Sequence, residues 1–213
     1  MKRLELEPTL LRQLKTSAYW ILGFMILIWV VALANLLLGQ RLSAFGIYPR
    51  TIQGLPGIVL YPFLHNGIGH VLMNSIPFVI LGSLVMLHGP RVFLKVTVFI
   101  IVLSGAAIWL FARTGQHLGA SVLIFGYFGF LVAAGWYQRN VISILIAVIT
   151  LFLYGSILWG VLPTSARVSW EGHLFGLLAG ILAARLLLGK DRPKRIELPR
   201  LFQWVDRDRI DRA

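Results

Sequence analysis

Six stretches of this chain are apolar for about twenty residues each, and they run over roughly 17–38, 67–87, 92–112, 119–138, 141–161 and 169–188. Lys95, Glu171 and Arg185 are their only charged residues, each toward an end of its run. At about 1.5 Å of rise per residue, such a run as a helix covers the roughly 30 Å hydrocarbon core of a bilayer. The bilayer core offers no water to the backbone, so a spanning segment satisfies its own N–H and C=O groups as a helix or in a closed barrel. These runs are too long and too uniformly apolar for barrel strands. The expectation is an all-α membrane protein of six spanning helices. Composition agrees: 58% of the 213 residues are hydrophobic and 13% charged, against about 45–50% and 25% in soluble domains.

The connections divide the rest. Residues 1–16 are polar and basic and read as a tail, residues 17–189 as one membrane domain, and residues 190–213 as a second basic tail. The first apolar run is too long, and lacks the small-x-small exit, for a cleavable signal. Residues 39–66 mix Pro49, Pro56 and Pro62 with Phe45, Tyr48, Tyr61 and Phe63. Proline breaks a long helix there, while the aromatics favour the membrane–water boundary, so an interfacial loop is expected between the first two spans.

Sixteen of the twenty Lys and Arg lie in the tails, the second–third and fourth–fifth connections and the adjoining helix ends. Only Arg41, Arg50, Arg113 and Arg167 lie on the other side. The positive-inside rule then places both termini in the cytoplasm. A net charge of +12 would suggest nucleic acid in a soluble protein. Here topology and anionic lipid at the tails account for it, and no nucleic-acid partner is expected. A multi-pass protein of a bacterial inner membrane fits a chain this compact.

A polar side chain inside a membrane needs a partner or a wet cavity. Three stretches carry such side chains toward the expected outer ends of their spans: His65-Asn-Gly-Ile-Gly-His70 with Asn74, Gly119-Ala-Ser121, and His173 followed by Gly176 and Gly180. His70 and Asn74, four apart, share a helix face, and each can donate a hydrogen bond. Gly172, Gly176 and Gly180 recur every four residues, the spacing that lets two membrane helices approach closely. Gly126 and Gly129 offer a matching face near Ser121. Such packing brings His173 against Ser121, a hydroxyl beside a base, with donors in reach for an oxyanion. Each stretch alone has a plainer reading as a hydrogen bond between helices. His65 reads as structural, and His88 and His117 as loop residues without a role.

The chain has no cysteine, which excludes thiolate chemistry and Cys-based metal sites. No His pair has metal-ligand spacing with a Glu, so neither metal nor cofactor is expected. No Asp occurs before residue 191 and Glu171 is the one acid between residues 8 and 190. A carboxylate behind the histidine is therefore not expected, which leaves a Ser–His dyad with an imidazole placed by packing.

The His-x4-His-x3-Asn pattern at His65, His70 and Asn74, the Gly-x-Ser at Gly119 to Ser121 and the His-x2-Gly-x3-Gly at His173 resemble the rhomboid family of intramembrane serine proteases. The resemblance covers about residues 17–189. It implies a six-helix rhomboid-like bundle, Ser121 as nucleophile, His173 as general base, and His70 and Asn74 as oxyanion donors. Gly119 and Phe125 take supporting positions, Phe125 as an aromatic packed on the base. It implies substrates that are transmembrane proteins, cut in or beside their membrane segments. Val122 departs from the glycine that often follows the serine in this family, and residues 39–66 lack its common Trp–Arg pair. The first departure raises the alternative of an inactive rhomboid-like protein that binds or guides membrane proteins. A small transporter or channel fits less well, because the polar groups gather in one half of the bundle.

Overall fold

The computed structural model describes residues 8–164 and 168–189. It contains six long helices: α1 (Pro8–Leu37), α2 (Ile68–Met86), α3 (Pro90–Phe111), α4 (Ser121–Gln138), α5 (Val141–Tyr154) and α6 (Trp170–Leu188). α5 tightens into a 3-10 helix over Gly155–Val161, and with that extension all six are long and apolar enough to cross a membrane. The chain is thus a multi-pass integral membrane protein with an all-α fold. α1 is already helical at Pro8, the first described residue, well inside the stretch read as a tail, and no Gly or Pro intervenes between Thr9 and Ser17. The C-terminal tail and Arg167 lie outside the described residues.

α4 is the centre of the bundle. In its most apolar window 72% of residues are buried, against 22% for the fifth span, Val141–Val161. α4 is also the least apolar of the six spans, so it gains least from facing lipid, and its glycines let neighbouring helices close in. A Cβ placed on Gly180 of α6 would fall 1.8 Å from the Gly126 carbonyl oxygen of α4, and one on Gly176 would fall 2.2 Å from that of Val122. On the same seam Gly129 faces the Leu177 backbone. Polar groups inside the bundle pair across helices: Thr97 with the Tyr127 hydroxyl at 2.7 Å, and the Trp29 indole donates to Ser75 at 3.2 Å. The outward faces leave more than half of each of Leu22, Ile26, Met73, Ile76 and Phe152 exposed to the surroundings, as a lipid-facing belt requires.

The segment between α1 and α2 is a folded element rather than a strap. It makes short helical turns over Arg41–Phe45, Ile52–Gly54, Gly57–Leu60 and Tyr61–Phe63. Asn35, fully buried near the end of α1, donates to Ser43 Oγ at 2.9 Å and to the His65 carbonyl at 3.2 Å, and its own oxygen accepts from Leu42 N–H. Arg50 donates to the Ala112 carbonyl at 2.8 Å, and Ile47 and His117 exchange both backbone hydrogen bonds at 2.9 Å. Tyr61 is wholly buried with its hydroxyl 3.1 Å from Ser104 Oγ. The loop therefore reaches α3 and the start of α4, where the polar residues gather.

Candidate active site

Ser121 is the first residue of α4. The turn that delivers it depends on Gly119, whose φ of +119° is unfavourable for any residue with a Cβ. A Cβ there would also stand 2.8 Å from His70 Cε1 and 2.9 Å from its Nε2, so the histidine of α2 lies against the turn. Gly119 N–H is held by the Tyr61 carbonyl at 2.9 Å, and Leu123 and Ile124 N–H both close onto the Ala120 carbonyl. The remaining first-turn amides, Ser121 and Val122, have no carbonyl one turn back to receive them. A helix N-terminus favours negative charge beside it.

His173 comes from the first turn of α6, whose N-cap Ser169 accepts from Gly172 N–H at 3.2 Å. Its Nε2 lies 3.0 Å from Ser121 Oγ, and its Nδ1 lies 2.9 Å from the Gly160 carbonyl oxygen. A carbonyl only accepts, so Nδ1 carries the proton and the Nε2 lone pair faces the serine hydroxyl. The Phe125 ring stacks on the imidazole, centroids 4.1 Å apart and planes within 8°. Packing alone was expected to place this ring. The bond to Gly160 adds a fixed direction, and no spacing in the sequence signals it, because its acceptor is main chain.

His70 is half-buried on α2, and Asn74 is buried one turn on. Asn74 Nδ2 has no hydrogen-bond partner among the described residues. A buried amide N–H with no protein partner is free to donate to another acceptor.

His65, read as structural from the sequence, holds the same turn from the other side. Its Nε2 accepts from Ala120 N–H at 3.2 Å, and its ring meets His70 edge to face at 4.9 Å. Burial, with His70 beside it, pushes its pKa from 6.5 down to about 4. A protonated ring could not accept from Ala120, so the neutral form belongs to the native state. Between pH 6.5 and about 4 the unfolded chain takes up a proton that the folded one refuses, so stability falls on acidification through that window. The full effect is about 3 kcal/mol at most. We expect the unfolding midpoint of the wild type in detergent to drop from pH 7 to pH 4, and His65→Gln to flatten that slope. Parallel curves for the two proteins would remove His65 from the account.

Glu171 faces away from His173. Its Oε1 lies 3.3 Å from Arg113 Nε, which ties α6 to the segment after α3. His117 joins the same corner. His117 Nε2–H donates to the Arg113 carbonyl at 3.1 Å, since a carbonyl only accepts, and the neutral ring's Nδ1 therefore accepts from Ser169 Oγ–H at 2.6 Å. Burial lowers the His117 pKa, opposed by its bond to Arg113. This corner fixes the entry of α6, three residues before His173. The sequence reading gave His117 no part, since its partners are distant along the chain.

Comparison with known proteins gives the same outline. The family model described as the Rhomboid domain matches residues 53–190, which takes in His65, His70, Asn74, the turn at Gly119 with Ser121, His173 and both faces of the glycine seam. The uncharacterized protein Rv1337 of Mycobacterium tuberculosis is 40% identical over 184 residues, covering 82% of this chain and 77% of that protein. The uncharacterized protein ML1171 of Mycobacterium leprae is 38% identical over 184 residues, covering 82% of this chain and 73% of that one. With six membrane helices packed on a central α4, and a family match across most of its length, this chain belongs to the rhomboid family.

Proposed function

We propose that the chain is an intramembrane serine endopeptidase working through a Ser121–His173 dyad. The observation that carries this reading is the 3.0 Å approach of Ser121 Oγ to an Nε2 whose partner nitrogen is already committed to a carbonyl. As Ser121 Oγ attacks the scissile carbonyl carbon, its proton passes to His173 Nε2, and the carbonyl oxygen gains the negative charge. Ser121 N–H, His70 and the open amide of Asn74 receive that charge. His173 then returns the proton to the leaving amine, and water hydrolyses the acyl-enzyme by the same two transfers in reverse roles.

The substrates under this reading are transmembrane proteins, and a helix that unwinds locally presents its peptide bond most readily. Arg41, Arg50 and Arg113 lie at the end of the bundle that carries the site, opposite the more basic end. By the positive-inside rule the termini are cytoplasmic and cleavage occurs near the outer surface of a bacterial inner membrane, with anionic lipid at the tails. Residues 17–189 form the working domain. The test is cleavage of a model transmembrane substrate by purified protein in liposomes. Activity that persisted in Ser121→Ala would sink the assignment.

Val122 favours the alternative of an inactive binding protein only if it crowds the site. Its side chain is buried on the seam with α6, where it faces Gly172 and Gly176. It thereby fills a gap between helices. Val122→Gly is expected to lower the unfolding midpoint, at a cost of about 2–4 kcal/mol from cavity and helix propensity, without raising fluorophosphonate labelling per folded molecule. An inert wild type that labels once Val122 becomes Gly would instead establish the alternative.

A further inference from the structure

We propose that the main-chain carbonyl of Gly160 is the positioning group that fixes the tautomer and direction of His173, and that it makes the end of the fifth span a working part of the site. The role assigned to His173 rests on the protease reading above. The positioning itself rests on geometry.

A neutral imidazole carries one proton, and the nitrogen that holds it is set by the partner of the other. To take a proton from Ser121, His173 must keep Nε2 free, which requires a proton and an acceptor at Nδ1. Serine proteases commonly use a carboxylate there, and the wrong tautomer costs about 10⁴-fold in rate. In this chain Glu171 is engaged by Arg113, and no Asp precedes residue 191. The acceptor present is the Gly160 oxygen, at 2.9 Å from Nδ1.

Gly160 is also pressed against the ring stack. A Cβ there would lie 2.8 Å from Phe125 Cζ and 3.1 Å from His173 Nδ1, so a glycine lets the backbone come close enough for its carbonyl to reach the imidazole.

The carbonyl sits near the end of the fifth span, in its 3-10 extension. The fifth span has the smallest buried share of the six, 22% in its apolar window. An open apolar crevice of about 460 Å³, lined by Phe128, Val132, Leu151, Leu158, Leu177 and Ile181, runs between part of it and α4 and α6. Beyond Tyr154 it continues only as the 3-10 turns of Gly155–Val161. A shift of its end by roughly 1 Å takes a 2.9 Å bond out of hydrogen-bonding range. The orientation of His173 therefore depends on the end of the fifth span keeping the position seen here, to within about 1 Å.

Replacing one backbone amide by an ester tests this in the full-length protein. The α-hydroxy analogue of valine at position 161 turns the Gly160 carbonyl into an ester carbonyl, a poorer acceptor. The α-hydroxy analogue of leucine at position 162 is the control: it deletes the Leu162 N–H bond to the Trp159 carbonyl (3.2 Å) and leaves Gly160 in an amide. The readouts are the ¹⁵N resonances of His173 in histidine-labelled protein and the pH dependence of fluorophosphonate labelling. Wild type and the control ester should show His173 protonated at Nδ1. The ester at 161 should move population to the Nε2–H form, slow labelling on the order of 10-fold, by analogy with the loss when the hydrogen-bond partner of a metal-bound histidine is removed, and carry the acid limb of the profile to lower pH. Two esters with the same tautomer populations and the same labelling rates would overturn the proposal. A tautomer that responds to the ester at 161 in a wild type that never labels would uphold the positioning and refute the protease reading.

Discussion

Ser121→Ala and His173→Ala, purified in detergent, should take up no fluorophosphonate under conditions in which the wild type is labelled within minutes. A serine hydroxyl is a weak nucleophile at neutral pH and reacts only when a base removes its proton as the bond forms. Ser121 has such a base at 3.0 Å. Loss of either member of a serine–histidine unit costs about 10⁴–10⁶-fold, and the two losses do not add, because each disables the same step. Both variants should keep the fold. Ser121 is only half-buried at a helix start, and alanine is a good helix former. The His173 ring is packed on Phe125, so His173→Gln is the companion variant that retains bulk. Labelling that survived in either histidine variant would mean that Ser121 is not activated by this imidazole.

The architecture was legible because the physics behind it is coarse. Twenty uncharged residues in a row admit few fates, and glycine every fourth residue after Gly172 announces a close helix contact before any partner is known. The pairing of that seam with Gly126 and Gly129 was also readable, since those glycines give the span that carries Ser121 a matching small face. Ser121 and His173 stood out as polar groups that a membrane interior does not tolerate without cause, and the structure brings their side chains together.

What escaped the sequence shares a different property: its chemistry is main chain, or spans long separations. The Gly160 carbonyl is present in every residue, and only the three-dimensional path of the fifth span selects it. His117 gains its part from Ser169, 52 positions away, and Asn35 looks like any polar residue closing an apolar run until its amide meets Ser43 and His65. The loop over residues 39–66 reads from its composition as an interfacial segment, but composition does not show that the fully buried ring of Tyr61 and its carbonyl bond to Gly119 N–H make the loop a floor for the turn before Ser121. Motif spacing reports neighbours along one helix face. It is silent about contacts that tertiary packing alone creates.

The seam between α4 and α6 gives the largest expected effect on the fold. Gly180→Ala adds one methyl group 1.8 Å from the Gly126 carbonyl oxygen, 2.7 Å from its carbon and 2.9 Å from its Cα. All three obstacles are backbone atoms, so no side chain can rotate away, and the helices themselves must part by more than about 1 Å to reach normal contact. Overpacking of this kind costs about 1–3 kcal/mol, with larger values where the structure cannot yield. Here yielding also opens the contacts at Gly176 and Gly129. Ser121 and His173 ride on these same two helices, so separation lengthens their 3.0 Å approach, and a misplacement near 1 Å costs on the order of 100-fold in rate. We expect Gly180→Ala to lower the unfolding midpoint and to slow fluorophosphonate labelling by about that factor. Gly23→Ala is the matched control: a Cβ at Gly23 meets nothing within 4 Å, and alanine favours the helix by up to about 1 kcal/mol, so both readings should hold or improve. If Gly180→Ala unfolds and labels like the wild type, the close seam does not set the distance between the two side chains. A combined fall in stability and labelling, absent from Gly23→Ala, ties the chemistry of the site to the glycine spacing of the helix that carries its base.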